Sequence, residues 1–236
     1  MNRKIIKFPN REKGYRGTAR RWGVRKKSHK ERRLVLVNGT GSSGTKYISK
    51  VFKAVGMDVP HERTGKDGSV THYFHTDHEW YPMFPWYEGC AHVGERRSDY
   101  IFKNEFLAVR HPLRCIPSMA SSFDLMDYEF MEETGIIEWG LGSKLLKAMN
   151  AYYNINLKME GESSFVFQLE TIKESWPEIC SRLGIGDVKF PDHVKACNKN
   201  TGYRAPKKIT WKDLEEADFD LTCKIKKMAR RYRYEV

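Results

Sequence analysis

The run "LVLVNGTGSSGTKYISKVF", Leu34 to Phe52, constrains the fold of this chain more than any other stretch. Its first five residues are short and apolar, as a strand buried on both faces is. Gly39, Gly41 and Gly44 follow, and from Gly44 to Val55 the sequence reads as a helix. A buried strand that turns directly into a helix buries both when the helix covers one face of a sheet and returns the chain for a second, parallel strand. The expected class is therefore α/β.

The same alternation continues along the chain. Further strand candidates are "GCAHV" (89–93), "EFLAVR" (105–110) and "SFVFQLE" (164–170). Helix candidates are Gly44 to Val55, Leu113 to Phe123, Ser143 to Lys158, Ile172 to Leu183 and Leu221 to Tyr232. In Ser143 to Lys158, Leu145, Leu146, Met149, Tyr152, Tyr153 and Leu157 recur at three- and four-residue steps. These elements predict a three-layer α/β/α arrangement with a central parallel sheet. A chain of 236 residues closes one substantial core but not two, so residues 34–236 read as a single domain. The stretch from His72 to Arg97, crowded with Trp, Tyr, Pro and His, reads as a long functional loop.

Charge divides the chain at residue 33. Residues 1–33 hold 14 Lys or Arg against 2 Glu, which accounts for the whole net charge of +12. The remainder is balanced, with 28 basic and 28 acidic residues. The arm has few aliphatics and no sustained period, so it reads as a flexible extension suited to an anionic partner or as a solvated tail. No apolar run approaches the roughly 20 residues of a membrane span. The opening "MNRKIIKFPN" lacks the apolar core of a signal peptide. The five cysteines are widely spaced, with no C-x-x-C pair. A cytoplasmic protein is expected.

The glycine-rich turn is also where chemistry is expected. Helix-start N–H groups and the positive end of the helix dipole suit a phosphate, and Gly41, Ser42, Ser43, Gly44, Thr45 and Lys46 surround that point. Gly39 and Gly44 have the spacing of a Walker A loop, but Thr45-Lys46 stands where that loop has Lys followed by Ser or Thr. The later strand "EFLAVR" ends in Arg110, where a nucleotide-triphosphate hydrolase commonly has a magnesium-binding Asp. Arg110, with Ser118 eight residues on, suits a second phosphate rather than a metal.

Ser43-Gly44-Thr45, followed by Arg110-His111-Pro112 and Ser118, resembles the signature of the sulfotransferases that use 3'-phosphoadenosine 5'-phosphosulfate. "FVFQLETI", the C-terminal run from Ile209, and "VGMDVPHERTGKDGSVTHYF" are similar to further segments of that family, the last to its bacterial and viral members. The resemblance runs from about Leu34 to the end. It implies a P-loop NTPase-like sulfotransferase fold, a sulfuryl transfer to a hydroxyl or amine of a carbohydrate or other small polar acceptor, and adenosine 3',5'-bisphosphate as product. By the same resemblance the first loop holds the 5'-phosphosulfate, Arg110 and Ser118 hold the 3'-phosphate, and the late basic loop with Arg204 closes over it. Two positions depart from the family: Ser42 stands where many members carry Lys or Arg, and His111 where Asp or Asn is usual. Lys46 or the arm is then expected to supply the missing charge.

Sulfuryl transfer needs a base and positive charge on the leaving oxygen, but no metal. Glu62 is the expected base, with His61 as its rival because imidazole titrates near neutrality. Lys46 is the expected charge. His72, His75 and His78 recur at three-residue steps, and they read as acceptor-binding or surface groups rather than as a metal site. Two other readings stay open: a P-loop kinase of a small metabolite, and a nucleic-acid-binding protein that uses the basic arm.

Overall fold

The computed structural model describes residues 30–72, 74, 95–122, 142–195 and 208–236. Within them the chain forms β1 (Glu31–Gly39), α1 (Thr45–Ala54), β2 (Gly68–Thr71), β3 (Tyr100–Val109), α2 (Pro112–Ser122), α3 (Lys144–Glu162), β4 (Phe165–Gln168), α4 (Ile172–Leu183), α5 (Trp211–Ala217) and α6 (Phe219–Arg231). The four strands make one sheet in the order β2-β1-β3-β4, and every pairing is parallel. The expected α/β class and parallel sheet are present.

Period-two alternation on β1 and β3 builds the layers. Val35, Val37, Phe106 and Ala108 face α1 and α4, where they pack with Ile48, Phe52, Trp176 and Ile179. Leu107 and Val109 face the other way, against Met119 of α2, Met149, Tyr152 and Ile155 of α3, and Ile225 of α6. Because β1 and β3 are clothed on both faces, their apolar runs are nearly continuous in the sequence.

Several elements differ from expectation in extent. β1 begins at Glu31, inside the stretch assigned to the arm, because residues 31–33 pair with Tyr100, Ile101 and Phe102 of β3. Arg33 lies over the Tyr100 ring and pairs with Glu31, which fixes this polar start of the strand. β2 was not expected at all. "GSVT" carries a single aliphatic residue, yet all four of its residues are buried. Gly68 is required there, since a Cβ would overlap the carbonyl of Val35. α3 extends to Glu162 and buries Ala148, Ala151, Ile155 and Met159 beside the expected Met149 and Tyr152, whereas Leu157 is exposed. The strand expected at 89–93 and the basic arm up to residue 29 lie outside the described residues. Among the described residues no helix is long and apolar enough to cross a membrane.

Candidate active site

The site is built at the carboxyl ends of β1 and β3, where parallel sheets of this kind bind ligands. The turn after β1 is held from within. Ser43 donates its N–H to the Thr40 carbonyl at 3.0 Å, and Ser42 and Gly44 both take positive φ, 66° and 90°. A Cβ on Gly39 would run into the Ser43 hydroxyl. Ser43 is therefore turned inward, with its Oγ buried and unpartnered. At Gly44 a Cβ would meet the Leu169 side chain, so this glycine serves packing against the end of β4 as well as backbone freedom. The N–H groups of Gly44, Thr45 and Lys46 have no backbone acceptor among the described residues, as expected at the start of α1.

Arg110 and Ser118 come to this loop from the other side. The Arg110 guanidinium donates from Nη1 to the Ser42 carbonyl at 2.8 Å, and the Ser118 hydroxyl donates to Ser42 Oγ at 3.1 Å. Cys115, one turn before Ser118, packs between Thr40 Oγ1 at 3.3 Å and the Gly41 carbonyl at 3.4 Å. Burial pushes its thiol up to about 11, so it is a packing residue and not a nucleophile. α2 is thus fastened to the loop by Cys115 and Ser118, with Arg110 just before it.

His111, between Arg110 and Pro112, fastens the start of α2. Its Nδ1 accepts from the Leu113 N–H at 3.2 Å, which caps the start of α2, and its Nε2 donates to the Glu235 carbonyl at 3.3 Å. Its own N–H donates to Glu170 Oε1 at 3.1 Å, and Tyr234 donates to Glu170 Oε2 at 2.7 Å. Burial, reinforced by Glu170, raises the Tyr234 hydroxyl far above its ordinary value. Glu170 and Tyr234 therefore lock the ends of β3, β4 and the chain together. Neither was singled out beforehand, because their roles appear only once the C-terminal segment folds back.

The expected base lies in a buried cluster rather than on a surface loop. Residues 60–62 run beside β2, with the Glu62 N–H on the Val70 carbonyl at 2.9 Å and the Val70 N–H on the Pro60 carbonyl at 3.0 Å. Glu62 adopts a left-handed backbone, φ 54°, and only 8% of its side chain is exposed. Its partners are histidines, not the neighbouring Arg63 or Lys66. His61 Nε2 stands 3.0 Å and His72 Nδ1 3.1 Å from the same oxygen, Oε1. Burial pushes the Glu62 carboxyl up, but His72 and His61 outweigh it and hold it well below the usual carboxylate range. Burial lowers His61, with help from His72 and Lys46 against the opposing pull of Glu62. Burial thus favours the neutral form of the His61 imidazole.

One contact joins this cluster to the loop. Thr45 Oγ1 lies 2.9 Å from His61 Nε2. The imidazole, the carboxylate and the first residue of α1 therefore form a single unit. Compared with known protein families and with curated proteins, the sequence gives no match. The assignment of function consequently rests on the residues themselves. Of those expected at the site, Gly41 to Lys46, His61, Glu62, Arg110 and Ser118 come together around one turn. Arg204, His75 and His78 lie outside the described residues.

Proposed function

We propose that this chain is a sulfotransferase that moves the sulfuryl group of 3'-phosphoadenosine 5'-phosphosulfate to a hydroxyl or amine of a carbohydrate or other small polar acceptor. The observation that carries the reading is the convergence on Ser42. Its carbonyl takes Arg110 and its hydroxyl takes Ser118, while three residues away Thr45 meets His61. Two phosphate-directed motifs and a proton acceptor thus share one loop. The N–H groups of Gly44 to Lys46, which have no backbone acceptor among the described residues, and the dipole of α1 fit a 5'-phosphosulfate. Arg110 and Ser118 fit the 3'-phosphate, and Lys46, exposed at the start of α1, supplies charge to the leaving oxygen.

When bound, the phosphosulfate supplies the group that is transferred. The rest falls to the chain. Glu62, held as a carboxylate by two imidazole N–H groups, is a weak proton acceptor but a strong orienting group. His61 directs Nε2–H at Glu62 and Thr45, a tautomer assigned from these partners, and so keeps its lone pair on Nδ1. In this reading Nδ1 of His61 takes the acceptor's proton and Glu62 steadies the imidazolium that forms. The expected order of the two residues is thereby exchanged.

A kinase would place a carboxylate for magnesium at the end of β3, and Arg110 stands there. The free thiols of Cys115, Cys180 and Cys223 fit a cytoplasmic setting. The test is calorimetry of the full chain with adenosine 3',5'-bisphosphate and, separately, with ATP and Mg²⁺. Saturable binding of the bisphosphate without metal is expected. Binding of ATP with Mg²⁺ and none of the bisphosphate would remove the proposal in favour of a kinase.

A further inference from the structure

We propose that His61, Glu62 and His72 form a binding site for one divalent transition ion of the zinc type. His61 Nε2, Glu62 Oε1 and His72 Nδ1 all lie within 4.8 Å of one another, and two of the separations are 3.0 and 3.1 Å. Four-coordinate zinc holds nitrogen and oxygen ligands at roughly 2.0–2.2 Å, which sets neighbouring donors about 3.4 Å apart. Two of the three separations are therefore within a few tenths of an ångström of that spacing, and the third lies within 4.8 Å. Thr45 Oγ1 lies beside this cluster, 2.9 Å from His61 Nε2.

Two imidazoles and a carboxylate, with no thiolate, suit a borderline divalent ion such as Zn²⁺, as they also suit Fe²⁺. It differs from the His72, His75 and His78 spacing visible in the sequence, because only folding brings residues 61 and 62 beside residue 72. β2 provides that approach, since His61 pairs with Val70 on the neighbouring backbone and His72 follows directly after Thr71, the last residue of β2. The left-handed backbone of Glu62 is a cost that a buried carboxylate aimed at two imidazoles accounts for. Without an ion the same atoms are satisfied by two N–H donors to Oε1. Metal and proton are thus alternative occupants of one set of lone pairs.

This alternation has a consequence for turnover that rests on the transferase reading, whereas binding itself does not. An ion on Nε2 of His61 moves the ring proton to Nδ1. The lone pair that takes the acceptor's proton is then lost, and the metal-loaded protein is inactive.

The experiment is equilibrium dialysis of the full chain against Zn²⁺, and Co²⁺ spectroscopy on the same unaltered protein. One equivalent of Zn²⁺ should bind, and His72→Ala and Glu62→Gln should each weaken it at least tenfold. The Co²⁺ form should show the visible bands of a low-coordinate nitrogen and oxygen site, without the near-ultraviolet charge-transfer band of a thiolate ligand. Absence of saturable binding, a thiolate band, or folded variants that bind as tightly as wild type would overturn the assignment. If a variant fails to fold, the Co²⁺ spectrum of wild type still decides. Given a working transfer assay, full turnover of the Zn²⁺-loaded protein would overturn the loss of the His61 lone pair, and absence of any transfer activity would count against the transferase reading alone.

Discussion

Glu62→Gln tests the buried cluster most directly, because the substitution keeps shape and removes charge. In the folded protein Oε1 accepts from His61 and His72 at 3.0 and 3.1 Å, and the side chain is nearly out of solvent. A hydrogen bond to a charged group contributes about 1.5–3 kcal/mol and a neutral one about 0.5–1.5 kcal/mol, so two lost charge assists amount to about 2 kcal/mol. The variant no longer has to bury a carboxylate, which offsets part of that loss. A net destabilisation of about 1–2 kcal/mol at pH 7 is expected. The effect must also vanish in acid. Glu62 is held below the usual carboxylate range, so its contribution is present above the unfolded-state value, roughly 4.3, and is lost as pH falls through the lower folded-state value. Urea unfolding followed by circular dichroism at several pH values measures both. A variant as stable as wild type at pH 7, or a gap that stays constant down to acid pH, would refute the argument that two imidazoles hold this carboxylate charged.

Arg110→Ala should weaken adenosine 3',5'-bisphosphate binding by roughly 2–4 kcal/mol in calorimetry, because a charge-assisted contact to phosphate is removed. Unchanged affinity would detach Arg110 from the ligand and leave it only as a brace for Ser42. If Nδ1 of His61 is the acceptor, log kcat/KM should rise with pH at unit slope below a value lower than the usual imidazole one and then level off, since burial depresses His61. A profile already level at the lowest pH where the protein stays folded would return the role to Glu62. Gly44→Val should destabilise the protein by about 1–3 kcal/mol in addition to abolishing binding, because the new side chain meets Leu169 at a left-handed backbone position. Thermal unfolding checks this, and an unchanged melting temperature would contradict the packing. His111→Ala should cost about 1 kcal/mol through loss of the α2 cap, and His111→Asn should recover most of it.

Much of the fold was legible in the chain because its signals are local. "LVLVN" and "EFLAVR" are apolar without a break, which only strands covered on both faces can be, and so they announced a parallel sheet clothed by helices. The loop was legible for the same reason, since Gly44 and the residues beside it carry their conformational demand in their identity. Ile172–Leu183 matched residue for residue, because its apolar period and the glycine after it are both short-range features. β2 was not legible. Its burial comes from pairing with Val35 to Asn38 and not from its own hydrophobicity, so "GSVT" looks like a turn until β1 is beside it.

The candidate site divides along the same line. The sequence by itself determined which residue types could face a phosphate, Ser42 to Lys46 in one segment and Arg110 with Ser118 in another. That both reach Ser42 was decided by the parallel pairing of β1 with β3, which sets Gly39 opposite Ala108 and so brings the two strand ends level. Glu62 and His61 were visible as adjacent titratable residues, but their charge states were not. Those depend on His72, ten residues away, and on burial, which belongs to the folded protein and not to any residue in it. Spacing along a chain fixes what can be neighbours within a helix or strand, whereas proton affinity is set by distance and solvent in three dimensions.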